Sequence, residues 1–150
     1  MSDRSLYRGK RKDNGEWVYG VPIEKNDRTF IVSEELSFAH TIYDQESVVD
    51  FFVRTYEVIP ETVGQFTGLT DMNGTKIFEG NIVHLYGDDN YPDLRGIDYN
   101  ALVIFKDGGF CAIDGTPDNY GFRSYPFAKC DLNCEVIGNI HDDPELLREE

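Results

Sequence analysis

Asn73-Gly74-Thr75-Lys76-Ile77-Phe78-Glu79-Gly80-Asn81-Ile82-Val83-His84-Leu85-Tyr86 is the stretch that decides the fold class. Asn-Gly tolerates positive φ at both central positions of a type I′ turn, the connection that suits two right-twisted antiparallel strands. The residues after it, Lys76 to Tyr86, are rich in aromatic and β-branched side chains with partial alternation, which is a strand pattern. Asn14-Gly15 before Glu16 to Ile23 gives the same signal, and Asp107-Gly108-Gly109 joins Asn100 to Phe105 with Phe110 to Asp114 as a third hairpin. Strands are also predicted at Arg28 to Val32, Phe38 to Tyr43, Phe51 to Ile59 and Glu135 to Ile140. Ser33 to Asp50 reads as strand in preference to a helix around Glu46 to Phe52, although periodicity over so short a length does not separate the two.

Helix signals are few. Pro60-Glu61-Thr62-Val63 offers Pro at a first helical position, but Gly64 limits it to about one turn. At the C-terminus Asp143 is placed as an N-cap, Pro144 as the first helical residue and Glu145 as first-turn acid, so a short helical turn is expected through Leu146-Leu147. Asp13 to Gly20 faintly echoes Asp71 to Gly80, as two hairpins obeying one turn rule would. The fold class is mainly β. Residues 1–60 read as an N-terminal β-meander, and residues 61–150, with about five strands, as a small SH3-like β-barrel within one compact protein.

The chain's 150 residues suit one domain or two small lobes, and a chain of this size buries about 68–70% of its unfolded surface without help from metals or disulfides. Fourteen basic against twenty-eight acidic residues leave a formal charge of -14, which opposes duplex DNA and anionic membranes as default partners. The charge is uneven. Residues 1–30 hold seven basic and five acidic side chains, a net of +2, whereas residues 31–150 hold seven against twenty-three, a net of -16. The basic cluster Arg8-Gly9-Lys10-Arg11-Lys12 runs directly into Asp13-Asn14-Gly15-Glu16 and a strand pattern, so it reads as a solvated loop leading into a hairpin, ahead of a nucleic-acid arm. Met1 to Ser5 carries no apolar stretch of signal-peptide length, and the longest apolar run is Ala101 to Phe105, so a cytoplasmic setting with no membrane span is expected. The three cysteines, Cys111, Cys130 and Cys134, are accordingly read as free thiols.

Three blocks of sequence also resemble a known family. They are Arg8-Gly9-Lys10-Arg11 through Asn14-Gly15-Glu16-Trp17-Val18-Tyr19-Gly20; Ile59 to Leu69 with Asn73-Gly74 and Ile77-Phe78-Glu79-Gly80-Asn81-Ile82-Val83; and Val136 to Leu147. In that order they are similar to the YopX family of bacteriophage and prophage proteins, over nearly the whole chain. The resemblance implies a phage-encoded or prophage-encoded protein of the bacterial cytoplasm, β-rich, with an SH3-like barrel in its C-terminal half. It implies no reaction. It departs from the family at Asn81, where Asp is usual, which weakens any metal role for that position.

No chemistry-bearing motif stands out. Cys130 and Cys134 with Cys111 and His141 are the one set that could be drawn as a zinc site, but a structural zinc site needs four ligands and only one close Cys pair exists. His40, His84 and His141 are available in principle as bases, but His84 shares a strand face with Ile82 and Tyr86 and reads as a packed or edge histidine, and no nucleophile-elbow, phosphate-loop or dinucleotide fingerprint occurs. Gly87 to Asp98 holds four carboxylates without the spacing of a calcium loop, and reads as solvated. No cofactor and no enzyme activity are therefore expected. The leading expectation is a non-catalytic interaction protein whose acidic surface binds a host or phage protein with a basic surface, with the aromatics Tyr86, Tyr91 and Tyr120 as anchors. The alternatives are a nucleic-acid-binding β-barrel module and a small-ligand-binding protein or enzyme. Self-association stays open.

Overall fold

The computed structural model describes residues 6–33, 54–90, 92, 95–106, 108–116, 119–126 and 133–147, with the backbone alone over 114–126. The expected strand Phe38 to Tyr43 and the Ser33 to Asp50 stretch beyond Ser33 lie outside the described residues. The chain divides into two compact units, Met1–Val63 and Gly64–Glu150.

In the first unit β1 (Tyr7–Lys10), β2 (Trp17–Lys25), β3 (Arg28–Ser33) and β4 (Arg54–Val58) form an antiparallel meander in the order β4-β3-β2-β1. The hairpin at Asn14-Gly15 exists, but not as a two-residue turn. Lys10 pairs with Trp17, so Arg11 to Glu16 all belong to the loop, and only Gly15 of the pair has positive φ. The two-residue turn lies at Asn26-Asp27, with φ of 53° and 60° between the paired Lys25 and Arg28. Both residues are types that reach the left-handed region through short polar side chains, as a type I′ turn demands. Ile31 and Val58 are fully buried, and a Cβ on Gly9 would come within 3.0 Å of Val58 Cγ2. The free end of β4 folds back onto the chain after β1. Arg11 bridges Val58, Lys12 N donates to Glu57 O at 3.1 Å, and Ile59 N donates to Lys10 O at 2.8 Å. Pro60–Thr62 is a single 3-10 turn.

The second unit starts with the hairpin β5 (Gly64–Thr70) and β6 (Lys76–Phe78). Lys76 to Tyr86, expected as one strand, is two. Glu79-Gly80 interrupts it before β7 (Asn81–Tyr86), with Gly80 at φ 92° and Asn81 Oδ1 accepting from Phe78 N at 2.7 Å. Strands β8 (Asp98–Lys106), β9 (Gly109–Thr116), β10 (Asn119–Pro126) and β11 (Asn133–Asn139) join β7 in an antiparallel sheet of order β10-β9-β8-β7-β11. Its centre is buried on both faces. Ile77, Val83, Leu85, Ala101, Val103, Ala112 and Cys134 pack on one, and Ile82, Leu102, Cys111 and Ile113 on the other, beneath Leu146 and Leu147 of a 3-10 turn at Pro144–Leu147. Burial on both faces accounts for the apolar run over Ala101 to Val103; Ile104 is partly buried and Phe105 is 54% exposed.

The closed barrel expected for residues 61–150 does not form among the described residues. β10 and β11 are opposite ends of the strand order with no ladder between them. β11 returns beside β7 instead, and the β5–β6 turn caps its outer edge: Met72 N donates to Cys134 O at 3.0 Å and Val136 N to Asp71 Oδ2 at 2.9 Å. An edge capped by a turn has no free groups there for closure. No helix among the described residues is long and apolar enough to cross a membrane.

Candidate functional site

Alternation along β7 sends Val83 and Leu85 into the core and Ile82, His84 and Tyr86 to the opposite face. Register then sets the neighbours of the last two. Glu135 on β11 and Asn100 on β8 flank His84, while Asn133 and Asp98 flank Tyr86. Leu146 and Leu147 cover the Ile82 end of this face, leaving a polar row across three strands.

Asn100 Nδ2 donates to Leu146 O at 2.8 Å, which turns Asn100 Oδ1 toward the imidazole as an acceptor. His84 Nδ1 lies 2.7 Å from that oxygen, and Nε2 lies 2.6 Å from Asp98 Oδ1. Both partners accept, so the two bonds form together when both ring nitrogens carry protons. Each ring nitrogen has a partner within hydrogen-bond distance. The Tyr86 ring meets the imidazole edge-on at 4.6 Å between centroids, and its hydroxyl donates to Glu135 Oε2 at 3.3 Å. Burial, then the Glu135 carboxylate, push the Tyr86 phenol above its ordinary value. Asn73 Nδ2 reaches the other Glu135 oxygen at 3.4 Å. The result is a tyrosine 39% exposed, held between two carboxylates on a rigid sheet, with the Asp98 side chain 79% exposed.

Of the three tyrosines expected as anchors, Tyr86 is the one whose side chain is described. Tyr91 lies outside the described residues, and for Tyr120 the backbone is placed in β10. The link from His84 to Asp98 and Asn100 escaped the sequence reading because it needs the β7–β8 register. The signal available was strand alternation, which put His84 beside Tyr86 but named no cross-strand partner.

Among the described residues the zinc set is not assembled. Cys111 and Cys134 are buried on opposite faces of the sheet, Cys130 lies outside the described residues, and among the described residues no three His, Cys, Asp or Glu side chains gather around one point. Burial, then the charge of Asp71, push the Cys134 thiol up to about 11. Asn81 is a clamp: it accepts from Phe78 N and donates from Nδ2 to Gly138 O at 3.3 Å, and an aspartate there would lack the donor. In the Gly87 to Asp98 loop, Asp88 Oδ1 accepts from Asn90 N at 2.9 Å and Arg95 Nε donates to Asp89 O at 3.2 Å.

The basic cluster of the first unit is largely committed inside that unit. Arg8 is buried with its guanidinium 4.3 Å from the Trp17 ring. Arg11 stacks on Tyr56 at 4.5 Å and donates from Nε to Asp13 Oδ1 at 2.9 Å, and Lys12 Nζ sits 3.2 Å from Glu57 Oε2. Arg28 also grips Glu57, and the two cations hold that carboxyl at about 2.

The profile of the YopX protein matches residues 6–148. The chain belongs to the YopX family. No curated protein matches this YopX chain. The chain is similar to the crystal structure of protein EF1440 from Enterococcus faecalis, at 21% identity and a TM-score of 0.49, over 95% of this chain and 96% of that one.

Proposed function

We propose that this YopX family member is a non-catalytic interaction protein, encoded by a phage or prophage and acting in the bacterial cytoplasm, that binds a basic surface on a host or phage protein. The observation that carries this reading is the exposed Tyr86 between the carboxylates of Asp98 and Glu135. Residues 64–150 hold sixteen acidic against six basic side chains, a net of -10, so the field around this row attracts cations. Tyrosine supplies contact area at little entropic cost, and carboxylates at a rim steer a basic partner and fix its register. His84, with both nitrogens engaged, supports the Tyr86 ring. Duplex DNA is disfavoured by the same field, and Arg8, Arg11 and Lys12 already have aromatic or carboxylate partners.

The test is capture with the full chain in parallel with Tyr86→Ala and with an Asp98→Asn, Glu135→Gln double variant. A basic protein held by the parent, released by both variants, and associating more slowly as salt rises is the expected result. A sub-micromolar gel shift with duplex DNA near physiological salt, lost on changing Arg8, Lys10, Arg11 and Lys12 to Ala, would reject it in favour of a nucleic-acid module.

A further inference from the structure

The first unit carries a partly open pocket of about 390 Å³ whose walls include Trp17, Tyr19 and Tyr56 and whose charged lining, among the described residues, is Arg11 and Glu16. We propose that this pocket receives the guanidinium of an arginine side chain projecting from a basic protein segment. The proposal rests on the reading of a basic protein partner and assigns that partner a second, separate point of attachment.

The argument is one of charge left over. Arg11 lines the pocket, but its fork is taken by Asp13, with Nε bonded to Oδ1 at 2.9 Å and an Nη to Oδ2. An incoming anion would have to displace that carboxylate. Glu16 differs: its side chain is 72% exposed, and its carboxylate approaches Arg11 only to 4.0 Å, beyond hydrogen-bond distance. The charge at the mouth that a ligand can still satisfy is therefore negative, and the complementary ligand is a cation. The volume lies within the roughly 300–1,000 Å³ of small-ligand sites, so it admits a side-chain head group.

The aromatic walls favour arginine over lysine. A guanidinium is planar, weakly hydrated and able to stack on a ring while its edge donates to a carboxylate, whereas an ammonium is a strongly hydrated point charge. The chain makes this pairing itself on two of the pocket's own walls, with Arg8 over Trp17 at 4.3 Å and Arg11 over Tyr56 at 4.5 Å. Glu16 directly precedes Trp17, so one short segment presents the acceptor and an aromatic wall together.

Trp17 is the single tryptophan of the chain, so its fluorescence and its one indole N–H resonance report on the pocket. The experiment titrates the full chain with N-acetyl-arginine amide, with the neutral isostere N-acetyl-citrulline amide and with N-acetyl-glutamate amide. A saturable Trp17 response to the arginine compound is expected, about tenfold weaker for citrulline. Glu16→Gln, at an exposed position, should lower arginine binding to the citrulline level, and Glu135→Gln should leave it unchanged. Equal binding of citrulline, preference for glutamate, or no saturable response overturns the proposal. Because Glu135→Gln bears on partner capture and not on this titration, failure here is distinguishable from failure of the broader reading.

Discussion

Asp71 is 8% exposed, yet its carboxylate accepts three backbone amides: Asn73 at 2.9 Å and Thr75 at 2.8 Å within its own turn, and Val136 at 2.9 Å on β11. Burial works to raise its pKa, but the three N–H donors outweigh burial and hold it below the ordinary aspartate value. A depressed folded pKa means the stabilisation is fully present above the unfolded value and is lost as pH falls through the folded one. Asp71→Ala orphans those donors, one of them on a different strand, and should destabilise the protein by about 1–3 kcal/mol in urea unfolding. A loss within 0.5 kcal/mol, the usual range of an unremarkable surface substitution, would show that water replaces the carboxylate. Cys134, beside the same carboxylate, has its thiol at about 11 and is 3% exposed. Thiolate is the reactive form, so in a Cys130→Ser background native protein should resist thiol reagents at pH 8 and both remaining cysteines should react once it is unfolded. Rapid labelling of the native state would contradict the burial of both.

The turns show what could be read in advance and what could not. Hairpins at Asn14-Gly15, Asn73-Gly74 and Asp107-Gly108-Gly109 were legible because Gly15, Gly74 and Gly108 all sit at positive φ, where glycine is the low-cost choice. Their lengths were not, because side chains outside the Asn-Gly pair decide them. At the second, Asp71 bonds Asn73 N and Thr75 N and stretches the loop to Asp71–Thr75 between the paired Thr70 and Lys76. The break at Glu79-Gly80 was hidden for a similar reason: Glu79 N donates to Gln65 O at 2.9 Å and a Cβ on Gly64 would lie 2.3 Å from Glu79 O, contacts with residues fourteen or fifteen positions away. The same limit hid the His84 partners on β8, while the face that His84 shares with Tyr86 was readable from alternation alone. Asn26-Asp27 is the true two-residue turn, built without glycine. Asp27→Gly should therefore raise stability by on the order of 0.5 kcal/mol, read as a higher urea midpoint at unchanged slope. A lower midpoint would show that Asp27 has a side-chain role beyond adopting positive φ.

Over the whole molecule two electrostatic effects of opposite sign compete. The net charge of -14 is self-repelling in any compact state, and repulsion among exposed carboxylates is weakened by salt. Against it stand local pairs that need ionised carboxylates, above all Glu57, which Arg28 holds at 2.7 Å and Lys12 at 3.2 Å and whose carboxyl lies at about 2 instead of the usual 4.5. At pH 7 Glu57 is charged in folded and unfolded chains alike, so its contribution is complete and the excess acid is the larger salt-sensitive effect. Added salt should then raise the midpoint of thermal unfolding by a few degrees. Falling pH first relieves the repulsion, as carboxylates take up protons. Below about pH 4.5 the unfolded chain takes up protons at Glu57 and Asp71 that the folded chain refuses until lower pH, and stability falls towards pH 2. In that acid range Glu57 and Asp13 still hold their cations, while fourteen Lys and Arg and three His leave the chain positively charged, so pairing and repulsion again oppose each other and Glu57→Gln separates them. Thermal unfolding of the parent and of Glu57→Gln at pH 7 and pH 3 should show the parent's advantage present at pH 7 and smaller at pH 3, where the unfolded chain has already taken up the proton at this position. Equal midpoints for the two proteins at pH 7, or an advantage that does not shrink at pH 3, would mean that the Glu57 cluster contributes nothing to the acid side and that net charge alone governs it.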